Sequence, residues 1–259
     1  MDQRLEAFKR LLDIMDQVRA GCPWDRVQTM ESIRHLTIEE TYELSEAIID
    51  GKLDEVKKEL GDLMLHIVFY SKIGSEQGAF DITDVLNGIC EKLIVRHPHI
   101  FGDSKVEDAS EVSQNWEKIK LEKEHNRSVL GGVPDTLPAL LKAFRMQQKA
   151  AGVGFEWNDP DDSWNKVEEE KAELFDELKH HGSHERIEEE YGDLLFALIC
   201  YARHIDVNPE DALDKTNHKF KSRFSFVEQK ARESGKGIQN LSVDEMLAYW
   251  EEAKRNENR

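Results

Sequence analysis

The sequence has few of the residues that mark secreted, membrane-spanning or β-rich proteins. Its three cysteines, Cys22, Cys90 and Cys200, are an odd and unclustered set, which predicts neither a disulfide framework nor a zinc site. Six prolines and fifteen glycines are too few for the many turns of a β protein. The longest apolar run, 194–202, has nine residues, whereas a membrane span needs about 20. The charged N-terminus does not resemble a signal peptide, so we expect a reduced, cytoplasmic protein that does not enter a membrane.

Positive charge is also scarce. The chain has 35 Lys and Arg against 53 Asp and Glu, a net charge of −18. A protein that binds DNA or RNA needs a basic face, so a nucleic acid polymer is not an expected partner. Small phosphorylated ligands remain compatible with this charge, because a bound divalent metal ion inverts the local field. Apolar residues make up 39% of the chain, and their spacing of three and four residues predicts an all-α fold.

The two halves of the chain resemble each other. Residues 39–43 match 169–173 at an offset of 130, and residues 59–64 match 190–195 at an offset of 131. Further landmarks follow in the same order in both halves. They are Lys92 with Lys219, Arg96 with Arg223, and Trp116 with Trp250.

This repeat predicts a tandem duplication of one helical domain. The expected domains are 1–125 and 136–259, joined by a linker at 126–135 that is rich in polar residues, Gly and Pro. Each half is then close to the usual size of a domain, about 100–150 residues.

Acidic residues in each half are spaced to share one helix face. In the first half Glu40 and Glu43 are three residues apart, as are Glu59 and Asp62. A helix break at 50–51 would fold the two helices into a hairpin and bring the pairs together. The second half repeats the pattern with a break at 181–183. Its four carboxylates are Glu170, Glu173, Glu190 and Asp193.

Four converging carboxylates predict a metal site in each half. Oxygen-only ligands suit a hard cation, so Mg²⁺ is the expected ion, with Mn²⁺ as a substitute. The alternative is that such pairs are ordinary solvated helix faces, as is common in acidic chains. Asp62 and Asp193 argue against this alternative because each lies inside an apolar run, where we expect it to be shielded from water.

Two basic residues distinguish the second half. Lys166 and Arg186 each lie one helical turn before a proposed ligand, whereas Leu36 and Glu55 occupy the equivalent positions in the first half. A nucleoside triphosphate carries about four negative charges, so its site needs cations besides the metal. The second half is therefore the expected active half. Lys166 and Arg186 could equally form ordinary salt bridges with the adjacent carboxylates, which does not exclude the functional role.

The motif Glu-Glu-x-x-Glu followed by Glu-x-Gly-Asp, present twice, resembles the MazG family of nucleoside triphosphate pyrophosphohydrolases. Segments 22–25, 96–101 and 154–157 are also similar to that family, and the resemblance covers essentially the whole chain. It implies helical domains that form four-helix-bundle-type homodimers. It also implies Mg²⁺-dependent cleavage of a nucleoside triphosphate to a monophosphate and pyrophosphate.

The resemblance also implies a set of nucleotide contacts. These are Lys166, Arg186, Lys219, Arg223 and Trp250. Trp250 could stack on a base or only pack against the protein. Glu169 neighbours the proposed ligands and is the best spare carboxylate for orienting or deprotonating water. Two rival functions remain: a non-enzymatic nucleotide sensor, and an acidic helical module that binds another protein.

Overall fold

The computed structural model describes residues 2–102, 112, 128–157 and 159–257. These residues form helices and no strands, which confirms the predicted all-α fold. The described elements are α1 (Gln3–Gly21), α2 (Pro23–Arg26), α3 (Met30–Ile49), α4 (Leu53–Glu76), α5 (Ile82–Arg96), α6 (Pro98–Phe101), α7 (Ala139–Ala151), α8 (Pro160–Lys179), α9 (His184–His204), α10 (Pro209–Glu233), a 3-10 helix (Ile238–Asn240) and α11 (Val243–Glu257).

The chain divides into two compact units, 1–105 and 106–259. The expected linker at 126–135 lies partly outside the described residues, and its described part, 128–135, consists of turns and bends. Trp116, the expected counterpart of Trp250, also lies outside them. The domain bounds given above therefore stay a prediction.

Each unit contains a helical hairpin that ends where the sequence predicts a break. In the first unit α3 and α4 are joined through Gly51, whose φ of 68° lies in the left-handed region that glycine adopts without strain. In the second unit α8 and α9 are joined through 180–183, where the Ser183 side chain accepts from the backbone N–H of Arg186 and caps α9. Both predicted breaks are confirmed, and each hairpin carries one set of acidic motifs.

The core of the first unit lies where α1 packs against this hairpin. Met15, Ile33, Val68, Phe69 and Ile73 form one buried cluster, and Ile33 has no exposed surface. Burying such side chains contributes about 1.5–3 kcal/mol each to folding, so this cluster fixes how α3 meets α4.

The second unit is built on the same hairpin. Helix α9 contacts both α8 and α7, and α10 packs against α7 and α11. Its buried apolar side chains include Val167 and Leu174 on α8, and Val227 and Ala231 on α10. These contacts hold the acidic faces of α8 and α9 toward each other.

Many apolar side chains lie on outward faces of both units. Helix α5 has no buried residue, although it carries Val85, Leu86, Ile89, Leu93, Ile94 and Val95. Within the described part of the chain, no helix is both long and apolar enough to cross a membrane.

Candidate active site

The hairpin of the second unit brings together carboxylates that are far apart in sequence. Carboxylate oxygens of Glu170 on α8 and of Glu190 and Asp193 on α9 lie within 4.8 Å of one another. Those of Glu169, Glu170 and Glu173 form an overlapping group with the same spacing. Glu170 and Glu190 are each only 7% exposed. These five residues are called the second cluster below.

Two cations neutralise the buried members of the second cluster. Lys166 Nζ lies 2.7 Å from a carboxylate oxygen of Glu170 and 2.7 Å from one of Glu169. Arg186 lies 3.1 Å from Glu190 and also contacts Glu177 and Glu189. The i,i+4 ion pairs considered from the sequence are therefore present. They also place positive charge beside the oxygens that a metal-bound phosphate would approach.

The close spacing of charged groups shifts the pKa values of Lys166 and Glu173. Hydrogen bonds to Glu169 and Glu170 raise the pKa of Lys166, so it stays charged. Partial desolvation raises the pKa of Glu173, and the negative charges of Glu170 and Glu190 add to the shift. Hard oxygen donors at this spacing fit a divalent cation such as Mg²⁺, which would relieve the repulsion between the carboxylates.

The first unit has a cluster of its own. Carboxylate oxygens of Glu40, Glu59 and Asp62 lie within 4.8 Å of one another. Glu59 is 3% exposed, and its Oε2 is buried without a hydrogen-bond partner. Burial raises the pKa of Glu40, and the charges of Asp62, Glu43 and Glu59 raise it further. Glu43 is thus electrostatically close but exposed, and the first cluster is defined as Glu40, Glu59 and Asp62.

The sequence comparison underestimates the positive charge near the first cluster. Lys58 Nζ lies 2.9 Å from a Glu59 carboxylate oxygen. Its counterpart in the second half is Glu189, so a cation and an anion have exchanged places along the helix. The first half does lack counterparts of Lys166 and Arg186, but Lys58 on the next helical turn supplies a cation that this comparison of positions does not count.

The expected shielding from water holds for Asp62 but is wrong for Asp193. Asp62 is half-buried, but Asp193 is exposed. The apolar run around Asp193 is itself largely exposed, with Leu195 at 44% and Phe196 at 45%. An apolar run on a helix implies burial only where another element covers it, and here the buried carboxylates are Glu170 and Glu190.

The remaining predicted contacts form a group on α10 and α11. The Arg223 guanidinium lies 5.7 Å from the Trp250 ring centre and pairs with Glu257 at 2.7 Å. Trp250 also packs against Phe220, with 5.2 Å between ring centres. Lys219 is exposed and its charge helps to lower the pKa of Glu257. Packing, one of the two roles considered for Trp250, is thus present within the unit.

A feature that the sequence analysis missed is a cavity of about 680 Å³ in the second unit. Lys166, Glu170 and Asp193 line it together with apolar side chains from α7, α9 and residues 153–157. The second cluster therefore opens onto a half-open, mostly apolar cavity of the size used to bind small ligands, about 300–1,000 Å³.

The sequence of each helical hairpin matches a known protein family. The MazG nucleotide pyrophosphohydrolase domain matches residues 28–101 and 160–227. The chain belongs to the MazG family. The two matches contain the two hairpins with their carboxylate clusters, which confirms the resemblance inferred from the repeated motif.

Two MazG relatives match over almost their full length. The nucleoside triphosphate pyrophosphohydrolase/pyrophosphatase MazG of Thermotoga maritima is 42% identical over 95% of this chain and 95% of its own. The nucleoside triphosphate pyrophosphohydrolase of Escherichia coli K12 is 41% identical over 98% of this chain and 99% of its own. The similarity therefore extends over both units of the chain.

The MazG domain matches do not include every residue of interest. Lys166, Arg186, Lys219 and Arg223 lie within the second match, whereas Trp250 lies beyond it. Helix α7, which forms one wall of the cavity, lies between the two matches.

Proposed function

We propose that this chain hydrolyses nucleoside triphosphates to nucleoside monophosphate and pyrophosphate at the second cluster, with Mg²⁺ as the metal. The observation that carries the proposal is the convergence of buried Glu170 and Glu190 with Asp193, neutralised by Lys166 and Arg186. Membership of the MazG family and the names of its near full-length relatives support the same reaction.

The proposed reaction adds water across the anhydride between the α- and β-phosphates. Glu170, Glu173, Glu190 and Asp193 are the proposed ligands of Mg²⁺. Mg²⁺ held there would supply charge stabilisation to the phosphate oxygens and the leaving pyrophosphate. Lys166 and Arg186, which lie beside the second cluster, would neutralise the remaining negative charge as it moves to the leaving pyrophosphate.

Glu169 is the proposed group that orients the attacking water and accepts its proton. It is exposed and held by Lys166 at 2.7 Å, while Glu170 on the adjacent position is buried. It is not one of the four proposed metal ligands, so its carboxylate is available to hydrogen-bond the attacking water. Lys219, Arg223 and Trp250 are proposed as further nucleotide contacts, as the family resemblance implies.

A pyrophosphate-release assay tests the proposed function. Incubation of the full chain with ATP, GTP, CTP and UTP in Mg²⁺ should give equal amounts of monophosphate and pyrophosphate. Chelation by EDTA should stop the release, and Mn²⁺ should restore it in part. Nucleotide binding without any release would favour the rival function of a non-enzymatic sensor, and absence of both would favour a protein-binding module.

We also propose that the protein is a homodimer. Among the described residues, the outward faces of α4, α5 and α9 carry exposed apolar side chains, and large exposed apolar patches mark interaction surfaces. Gly61 and Gly192 lie on these faces with no heavy atom within 4 Å of an added Cβ, so another helix could approach closely. Light scattering should give about twice the chain mass of 30.0 kDa, and a fully active monomer would refute the dimer.

A further inference from the structure

The cavity beside the second cluster has a chemical character different from that of the cluster. One end is formed by Lys166, Glu170 and Asp193, and the rest is mostly apolar, with Met146 and Phe196 among its lining side chains. A ligand that spans the two must therefore join an anionic part to a flat or apolar part.

The duplication explains why the cavity exists in the second unit. At an offset of 131, Ala197 and Cys200 on α9 correspond to His66 and Phe69 on α4. Ala197 and Cys200 line the cavity. His66 and Phe69 are only 8% and 4% exposed, and Phe69 belongs to the same core cluster as Met15, the counterpart of Met146. Large side chains thus occupy in the first unit the positions that small ones leave open in the second.

The polar side chains that line the cavity also differ from their counterparts in the first unit. In the first unit Asp16 and Lys72 form an ion pair at 2.7 Å. Their counterparts in the second unit, Gln147 and Arg203, line the cavity and do not pair with each other, and Arg203 forms an ion pair with Glu156 at 2.8 Å. Gln147 Nε2 donates to the Phe196 carbonyl oxygen at 2.8 Å, which fixes the orientation of the side-chain amide.

Two buried polar atoms at the cavity have no hydrogen-bond partner among the described residues. They are Gln147 Oε1, an acceptor, and Arg203 Nε, a donor. Gln147 is 7% exposed. A buried polar atom without a partner is unfavourable, so the site favours a ligand whose edge offers both a donor and an acceptor.

We propose that this cavity binds the nucleoside part of the triphosphate, and that Ala197 and Cys200 are the residues whose small size admits the base. The inference rests on the proposed function, because it assigns the triphosphate to the adjoining carboxylates. A nucleobase has two apolar faces and an edge that carries both donors and acceptors, which matches the walls and the two unpartnered atoms. The first cluster, with His66 and Phe69 filling the equivalent space, would hold a metal ion and phosphates but no nucleoside.

Two probes separate the nucleoside end of the site from the phosphate end. Both are titrated calorimetrically into the full chain with Mg²⁺. They are α,β-methylene-ATP, which resists cleavage between its α- and β-phosphates, and inorganic tripolyphosphate, which has no nucleoside. In Cys200→Phe, which introduces the first unit's residue, α,β-methylene-ATP should bind at least about tenfold more weakly, because the ring takes the space of the base. Tripolyphosphate should bind within about twofold of the wild-type affinity.

Matched variants guard against misfolding. Glu188→Gln, at an exposed position on α9 that does not line the cavity, should bind both probes as wild type does. Ala197→His, the other exchange with the first unit, should repeat the selective loss. Unchanged binding of α,β-methylene-ATP to both filling variants would overturn the proposal. Equal weakening of both probes would also overturn it, since the filled space would then serve the phosphates. Turnover is not measured, so failure of the pocket and failure of the proposed reaction are distinguishable.

Discussion

Glu190→Gln is expected to reduce pyrophosphate release by about 10²–10³-fold while the helices stay folded. Glu190 is 7% exposed and lies within 4.8 Å of both Glu170 and Asp193 through carboxylate oxygens. Glutamine keeps its shape but removes one ligand charge. The lost ion pair with Arg186 involves a half-exposed guanidinium, so the expected loss of stability is small, at most about 1 kcal/mol. Steady-state kinetics and circular dichroism measure the two effects.

The same substitution should remove most of the thermal response of the second unit to metal. In the wild type, Mg²⁺ at about 100 times its Kd stabilises the folded site by about 2.7 kcal/mol. For a domain of this size that corresponds to a rise in Tm of about 5–10 °C. Glu190→Gln and Asp193→Asn should lose most of this rise. Glu188→Gln, an exposed position on the same helix outside the cluster, should keep both the rise and the activity.

The response to Mg²⁺ should also depend on pH. The raised pKa values of Glu173 and Glu40 mean that each folded carboxyl holds its proton more tightly than the unfolded chain does. Without metal, the stability that protonation contributes is present below the ordinary value of 4.5 and is lost as pH rises through the raised pKa. Mg²⁺ needs the ionised form, so the rise in Tm should be larger at about pH 8 than at about pH 5. Equal responses at both pH values would contradict this assignment.

The hairpins and the meeting of the carboxylates could be predicted because they depend on local spacing. Residues three apart share a helix face, and Gly51 marks the turn that reverses the chain, so the approach of Glu40 to Glu59 follows from positions in the sequence. The second hairpin follows from the same rule. The reliable signals were periodicity within a helix and the repetition of one pattern at a nearly constant offset.

Features set by packing between distant elements could not be predicted in this way. The exposure of Asp193 depends on what covers α9, which an apolar run does not reveal. A comparison of equivalent positions does not reveal the ion pair of Lys58 with Glu59, because this cation lies one helical turn after Glu55. The cavity depends on the volumes of Ala197 and Cys200, and it becomes a recognisable signal only when His66 and Phe69 are placed beside them.

The double variant Glu170→Gln/Asp193→Asn is expected to remove at least 99% of the activity, a loss of about 10²-fold or more. Its counterpart in the first half, Glu40→Gln/Asp62→Asn, should retain most of it. The two pairs occupy equivalent positions at offsets of 130 and 131. Each pair removes two charges from a cluster of similar geometry, so the comparison isolates the surroundings of the clusters. Pyrophosphate release by the two full-length variants, measured side by side, gives the ratio.

The residues around the second cluster favour nucleotide binding there, because they carry more positive charge and leave a cavity open. At three equivalent positions the second half has Lys166, Arg186 and Glu189, whereas the first has Leu36, Glu55 and Lys58. The difference is therefore one net positive charge, smaller than a comparison without Lys58 would give. The adjoining cavity adds to this difference, because the second cluster opens onto a space large enough for a nucleoside. Equal loss of activity in the two double variants would show that both clusters turn over substrate, and neither the extra cation nor the cavity would then decide which half is active.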